Sequence, residues 1–246
     1  MRRYGYIPDL KDRRDHSFQM ADIPLPPMVD LRDQDSPIED QGSLGACTSF
    51  ATGAAIRLCR RKESLPDFVT SHLFLYYNSR GIFSKGSDSG ASIRDAIKAA
   101  AKYGDCQETD WPYDISQFAV RPNAQAYQDA LQDRALQYMR ITQNLNQMKN
   151  CLSLGYPFVV GVSVYESFES NQAANTGFIP LPDMNEQLLG GHALLVVGYR
   201  DSDWHFIVRN SWGTGFGDKG YIYIPYVYLC NPNLASDFWY IQAVGK

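Results

Sequence analysis

The sequence predicts an α+β chain of two lobes with a cleft between them. Helical periodicity dominates the first half. From about Phe158 onward the chain turns to β-branched and aromatic runs, "FVVGVSVY", "HALLVVGYR", "WHFIVRN", "GYIYIPYVYL" and "DFWYIQAVG". Helices and strands segregated in this way suit separate lobes rather than alternating βαβ units, and clefts between lobes are where ligands bind. The length of 246 residues allows one large domain or two small ones, and 44% apolar with 20% charged residues is the composition of a folded globular chain.

Residues 1–24 are polar, charged and irregular, and "LPPMVDLRDQDSPIED" is extended and proline-marked. A turn over Gly42–Gly45 leads into a helix from Cys47, on which Ala51, Ala54, Ala55 and Leu58 share one face. Arg60, Arg61 and Lys62 fall where cations suit a helix C-terminus. "SHLFLYYNSR" and "SIRDAIKAAAKYG" read as helices, the second ending at Gly104. "DWPYD" is a turn, and "NAQAYQDALQDRALQYM" reads as a polar surface helix. Between the first two strands lies a long loop, "ESFESNQAANTGFIPLPDMNEQLLGG". The chain has no internal repeat.

The formal charge of −4, with no long basic run, gives no nucleic-acid footprint. No apolar run approaches the roughly 18 residues of a membrane span. The basic start "MRRYGYIPDLKDRRDH" has no apolar segment behind it, so it does not read as a secretory signal. A cytoplasmic location is favoured on that ground; export by another route and prior removal of a leader stay open. Five cysteines without C-x-x-C spacing argue against a zinc or thioredoxin-type site and for free thiols, or one bridge with a remainder. Asp183 and Glu186 lack ligand spacing, so neither metal nor cofactor is expected. Gly215 to Gly220 spells G-x-G-x-x-G, but a strand pattern follows it, which makes it a hairpin and not a dinucleotide fingerprint.

Cys47 opens a helix after a glycine-bracketed turn, "DQGSLGACTSF". It reads three ways: nucleophile, half of a disulfide, or small buried filler. A thiol attacks as thiolate, and a helix N-terminus or a nearby imidazolium lowers its pKa. Of four histidines, His16 lies in the irregular tail, His72 at a capped helix start, and His205 in mid-strand. His192 follows Gly190 and Gly191, where glycines permit close approach. "VRNSWGTGFGDKGYIYI" then puts Asn210 and Trp212 just after a strand. A working imidazole needs an acceptor to fix its orientation, and a neutral Asn supplies one without taking the proton from an ion pair.

From about Leu25 to the C-terminus, this constellation resembles the papain family of cysteine peptidases. "LPPMVDLR" resembles the start of the mature domain, "DQGSLGACTSF" its nucleophile segment, "DWPYD" its Tyr-Pro-Tyr turn, "GGHALLVVGY" its histidine strand, and "VRNSWGTGFGDKGYI" its asparagine segment. The resemblance implies a papain-like two-lobed fold, a helical lobe plus a β-barrel-like lobe with the active-site cleft between them. Cys47 would be the nucleophile and His192 the acid/base. Asn210 would orient His192 and Trp212 would shield that bond. Gln41 and the Cys47 backbone N–H would form the oxyanion hole.

The chain departs from the family pattern at Leu44 and Ser87, which stand where most members carry a disulfide pair; both halves are missing together. Thr48 replaces an aromatic. Ser89 and Gly90 would hold the substrate backbone. Ala91, Ser92, Gly190 and Gly191 would line the substrate subsites, with small residues leaving room for an apolar side chain two residues before the cut. The implied boundaries are an N-terminal extension over 1–24 and a peptidase domain over 25–246, divided into a helical lobe at about 39–120 and a β-rich lobe at about 121–246 with 25–38.

The extension is too short for the family's usual helical propeptide. It reads either as a loosely docked tail or as a segment lying along the cleft. The expected activity is endopeptidase action on polypeptides, by a monomer without nucleic-acid or membrane partners. The rivals are a narrow leader-processing or acyl-transfer enzyme using the same site, and a non-enzymatic binding module.

Overall fold

The computed structural model describes residues 3–81 and 84–245. Met1 and Arg2, at the start of the extension, lie outside the described residues. Helix α1 (Cys47–Lys62) runs through the molecule, packed against α2 (His72–Ser79) and α3 (Ile93–Tyr103) and against the sheet. It is buried from Cys47 to Arg60 on every side, so Ala51, Ala54, Ala55 and Leu58 are only part of its hidden surface. Arg60, expected at an exposed helix end, is turned inward. Its Nε meets Asp133 at 2.7 Å and its guanidinium stacks over Phe68 at 3.3 Å. Ser71 and Ser92 cap α2 and α3 by accepting from the N–H groups of Phe74 and Asp95, and Gly104 ends α3.

The sheet is antiparallel, in the order β2-β7-β3-β4-β5-β6, with β1 (Met28–Asp30) added against β4. Its strands are β2 (Arg134–Arg140), β3 (Phe158–Tyr165), β4 (Leu188–Arg200), β5 (His205–Arg209), β6 (Tyr221–Pro225) and β7 (Ala235–Gly245). β2 and β6 are not paired with each other, so the sheet stays open where a barrel-like closure was expected. β3 and β4 read as continuous apolar runs because both their faces are covered, α1 and α5 (Leu145–Ser153) packing on β4.

Two sequence readings give way. The helix expected across "NAQAYQDALQDRALQYM" stops as α4 at Ala124–Ala130, and Arg134–Arg140 becomes β2 because β7 offers it a hydrogen-bonding edge. Long-range pairing overrides local helix preference there. "GYIYIPYVYL" is strand only to Pro225, after which Tyr226–Cys230 forms α7 (the long loop contains α6, Asn171–Thr176). Proline lacks the N–H a strand needs and suits the start of a helix. Among the described residues no helix is long and apolar enough to cross a membrane, and all five cysteines are free thiols.

Candidate active site

Cys47 is the first residue of α1 and is fully buried. Ala46, in the N-cap position, has no side chain to accept from the helix. The helix-start amides of Cys47 and Thr48, with those of Ala193 and Gly5, favour the charged form of the sulfur. Burial pushes the Cys47 thiol above its ordinary range, and these amides pull it back, Ala193 most and Gly5 next.

β4 carries His192 and β5 delivers Asn210 at its end. His192 Nε2 lies 2.9 Å from Asn210 Oδ1, which also accepts from the N–H of Ser211 at 2.8 Å. A carbonyl oxygen only accepts, so Nε2 carries the proton and Nδ1 is the basic nitrogen of the neutral ring. Trp212 stacks on His192 with centroids 4.8 Å apart and an interplanar angle of 20°, and Phe168 and Phe216 wall the indole in turn.

Gln41 is buried beside this pair. Its Nε2 donates to Leu44 O at 2.8 Å and to Arg3 O at 3.3 Å, while its Oε1 accepts from Ser211 Oγ at 2.6 Å. One amide hydrogen thus anchors the side chain and the other points at a carbonyl oxygen. The loop expected to hold substrate is tied in by Asp88, whose carboxylate accepts from Gly45 N at 3.1 Å and from Tyr76 OH at 2.5 Å. Tyr76 OH also receives Gly90 N at 3.1 Å, and Ser89 Oγ donates to Gly90 O at 3.2 Å. Ser92 is engaged as the cap of α3. The other histidines are held elsewhere: His72 Nε2 lies 3.0 Å from Glu39, and His205 Nδ1 lies 2.5 Å from Asp203 O.

Residues 3–7 run through this site as a strap. Ala91 N donates to Gly5 O at 2.8 Å, Ile7 N to Ala91 O at 3.1 Å, and Tyr6 N to Gly191 O at 3.0 Å. The approach is so close that a Cβ on Gly5 would come within 1.8 Å of Gly45 O. The Tyr4 ring meets His192 edge-on at 6.3 Å, with its hydroxyl on Glu169. Farther along, the strap is held by buried polar contacts. The Asp9 carboxylate, wholly buried, accepts from Arg140 at 2.6 Å and Trp239 at 2.8 Å, and Asp15 pairs with Arg94 at 2.5 Å. Arg140 also reaches Asp237 at 3.0 Å. Sequence reasoning allowed the tail to lie along the cleft. It missed Asp237, Arg140 and Glu169, because no local pattern connects them to residues near the N-terminus.

Comparison with known proteins agrees with this geometry. The sequence profile described as papain family cysteine protease matches residues 25–236. A peptidase C1-like protein of Acanthamoeba polyphaga mimivirus is 37% identical, covering 99% of this chain and 88% of that one. Cysteine proteinase 2 of Entamoeba histolytica is 30% identical over 81% of this chain, which spans 64% of that relative's length. Among solved structures, xylellain, a cysteine protease from Xylella fastidiosa, superposes with a TM-score of 0.91 at 42% identity, covering 98% of this chain and 96% of its own. Procathepsin L 3 of Tenebrio molitor shares the fold, with a TM-score of 0.75 at 21% identity, over 93% of this chain and 74% of that one. The chain belongs to the papain family and is a cysteine peptidase, a hydrolase with the papain-like α+β fold.

Proposed function

We propose that Cys47 is the nucleophile of an endopeptidase whose N-terminal strap limits access to it. In this reading the Cys47 thiolate attacks the substrate carbonyl carbon. The oxyanion is received by Gln41 Nε2–H and the Cys47 N–H, and the protonated His192 passes its Nδ1 proton to the departing amine. Water, deprotonated by His192, then attacks the acyl-enzyme, releases the carboxylic acid and leaves the Cys47 thiolate beside the protonated His192, as at the start. Asn210 holds the imidazole through Nε2–H, and Trp212 keeps water from that bond. Ser89, Gly90, Ala91, Ser92, Gly190 and Gly191 line the substrate path.

The observation that carries the reading is the 2.9 Å contact between His192 Nε2 and Asn210 Oδ1, on strands facing the helix that begins at Cys47. The endopeptidase assignment draws on the strap itself. Arg3 and Tyr4 precede Gly5 at the thiol and Tyr6 and Ile7 follow it, so the groove takes a chain that continues past Cys47 on both sides.

The test is labelling by a peptidyl vinyl sulfone or epoxide with peptide mapping, in the full chain and in Gly5→Ala, whose new Cβ has no room under Gly45. One label at Cys47, absent in Cys47→Ala and His192→Ala and faster in Gly5→Ala, is expected. Equal rates in the two chains would remove the gating role of the strap. No label in either would remove Cys47 from the nucleophile's role.

A further inference from the structure

Tyr6 is buried, and its ring lies on the backbone of Gly161, where a Cβ would come within 2.0 Å of a ring carbon. Its backbone is bracketed by Ala91, whose N–H bonds the residue before it and whose carbonyl bonds the residue after it. The ring fills the space beside Ala91 and Gly191, where the family resemblance puts the substrate side chain two residues before the cut.

The floor of that space is polar. Tyr6 OH donates to Asp237 Oδ2 at 2.5 Å and lies 2.7 Å from Ser236 Oγ. Asp237 adopts a left-handed backbone with φ of 60°, a conformation that Asp tolerates better than most residues and that sets it apart within β7. Its Oδ1 accepts from both terminal nitrogens of Arg140, at 3.0 Å each. The carboxylate is thus already paired with a cation, while Oδ2 takes the phenol and the N–H of Asp9 at 2.7 Å. Burial and the neighbouring Asp237 push the Tyr6 phenol up, so it stays a donor.

We propose, resting on the peptidase reading above, that this pocket selects tyrosine two residues before the cut, and that Asp237 is the residue that sets this preference. Phenylalanine would fill the same volume but leave Ser236 and the Asp237 carboxylate, only 6% exposed, without the phenol donor, and leucine would do the same. Arginine or lysine would bring a second cation towards Arg140. Size discriminates little, because an open cavity of about 250 Å³, lined in part by Gly161, Leu188, Gly190 and Leu234, adjoins the ring. Sites built to bond a substrate hydroxyl reject the analogue lacking it far more strongly than apolar pockets reject a change in bulk.

The experiment uses peptidyl vinyl sulfones that differ only in Tyr, Phe, Leu or Arg two residues before the warhead, and reads the second-order rate of Cys47 labelling in the full chain. Opening of the strap multiplies every rate by one factor, so the ratios report the pocket alone. The tyrosine probe should exceed the phenylalanine probe by about tenfold or more, the worth of a hydrogen bond to a charged acceptor. In Asp237→Asn that ratio should fall to about threefold or less, and in Ser236→Ala it should fall part of the way. Phe, Leu or Arg probes matching or exceeding Tyr would overturn the proposal, as would a ratio unchanged in Asp237→Asn. If Asp237→Asn does not fold, the native ratio and Ser236→Ala decide. Failure of all four probes, in Gly5→Ala as well, would instead strike the nucleophile assignment and the pocket with it.

Discussion

The side-chain amide of Gln41 lies 3.3 Å from the carbonyl oxygen of Arg3 while its other hydrogen is fixed on Leu44 O. A donor held in this way before any substrate arrives needs no reorganisation as charge develops on a carbonyl oxygen. Gln41→Ala should lower kcat by about 10²–10³ with a much smaller change in KM. Steady-state kinetics on a peptide substrate checks this, and a loss confined to KM would contradict it.

Asn210 accepts the Nε2 proton of His192 at 2.9 Å. Asn210→Ala removes an acceptor that favours the charged ring, so the imidazolium should lose its proton at lower pH. The alkaline limb of the kcat/KM profile should move down in pH and kcat should fall by about 10². An unshifted profile would show that Asn210 does not bear on the imidazole.

Asp88 joins the loop before Cys47, through Gly45 N, to the loop of Ser89 and Gly90, through Tyr76. Leu44 and Ser87, where the resemblance implies the family's disulfide, lie in these two loops. Asp88→Ala should loosen both loops, lowering Tm and raising KM, and should also release Arg3, which pairs with Asp88 at 2.9 Å. A crystal structure or hydrogen exchange over residues 42–46 reads the loosening directly. Unaltered exchange there would mean that the loops hold without it.

The strap's grip should weaken as pH rises. Burial, with Asp237 adding to it, raises the Asp9 carboxyl, against the opposing pull of Trp239, Arg94 and Arg140; burial likewise raises the Cys47 thiol. Each group holds its proton more firmly beneath the docked strap than in water. Docking is therefore favoured in full below the ordinary aspartate range, and loses support as pH climbs through the raised Asp9 value and then towards that of the thiol. Exchange of the Tyr6 and Ile7 amides, corrected for the intrinsic rate, should show protection falling from about pH 4 to pH 8. Protection that rises over this span would reverse the sign.

Much of the arrangement was legible because its signals are local. Cys47 at a helix start, His192 after two glycines, and Asn210 beside Trp212 each sit in a short segment that can be read alone. The open sheet edges and the strand Arg134–Arg140 were not, since their state depends on β7, which lies about a hundred residues away. The pocket is the clearest case. Small residues at Ala91 and Gly190 suggested an apolar space, but its polar floor comes from Asp237, 231 residues from the tyrosine it binds. No periodicity links two positions that far apart. Nor does composition reveal that Arg60 and Asp9 are buried, because their compensation is tertiary.

Because the strap is part of the chain, its hold on the groove does not depend on how much protein is present. A separate inhibitor falls away on dilution. In the gating role proposed for it, the strap stays at the local concentration set by the short run of chain between Ile7 and the anchors at Asp9 and Asp15. Spreading the protein through a larger volume leaves the closed fraction unchanged. A single nick in that run would turn Tyr6 and its neighbours into an ordinary peptide, free to wash out.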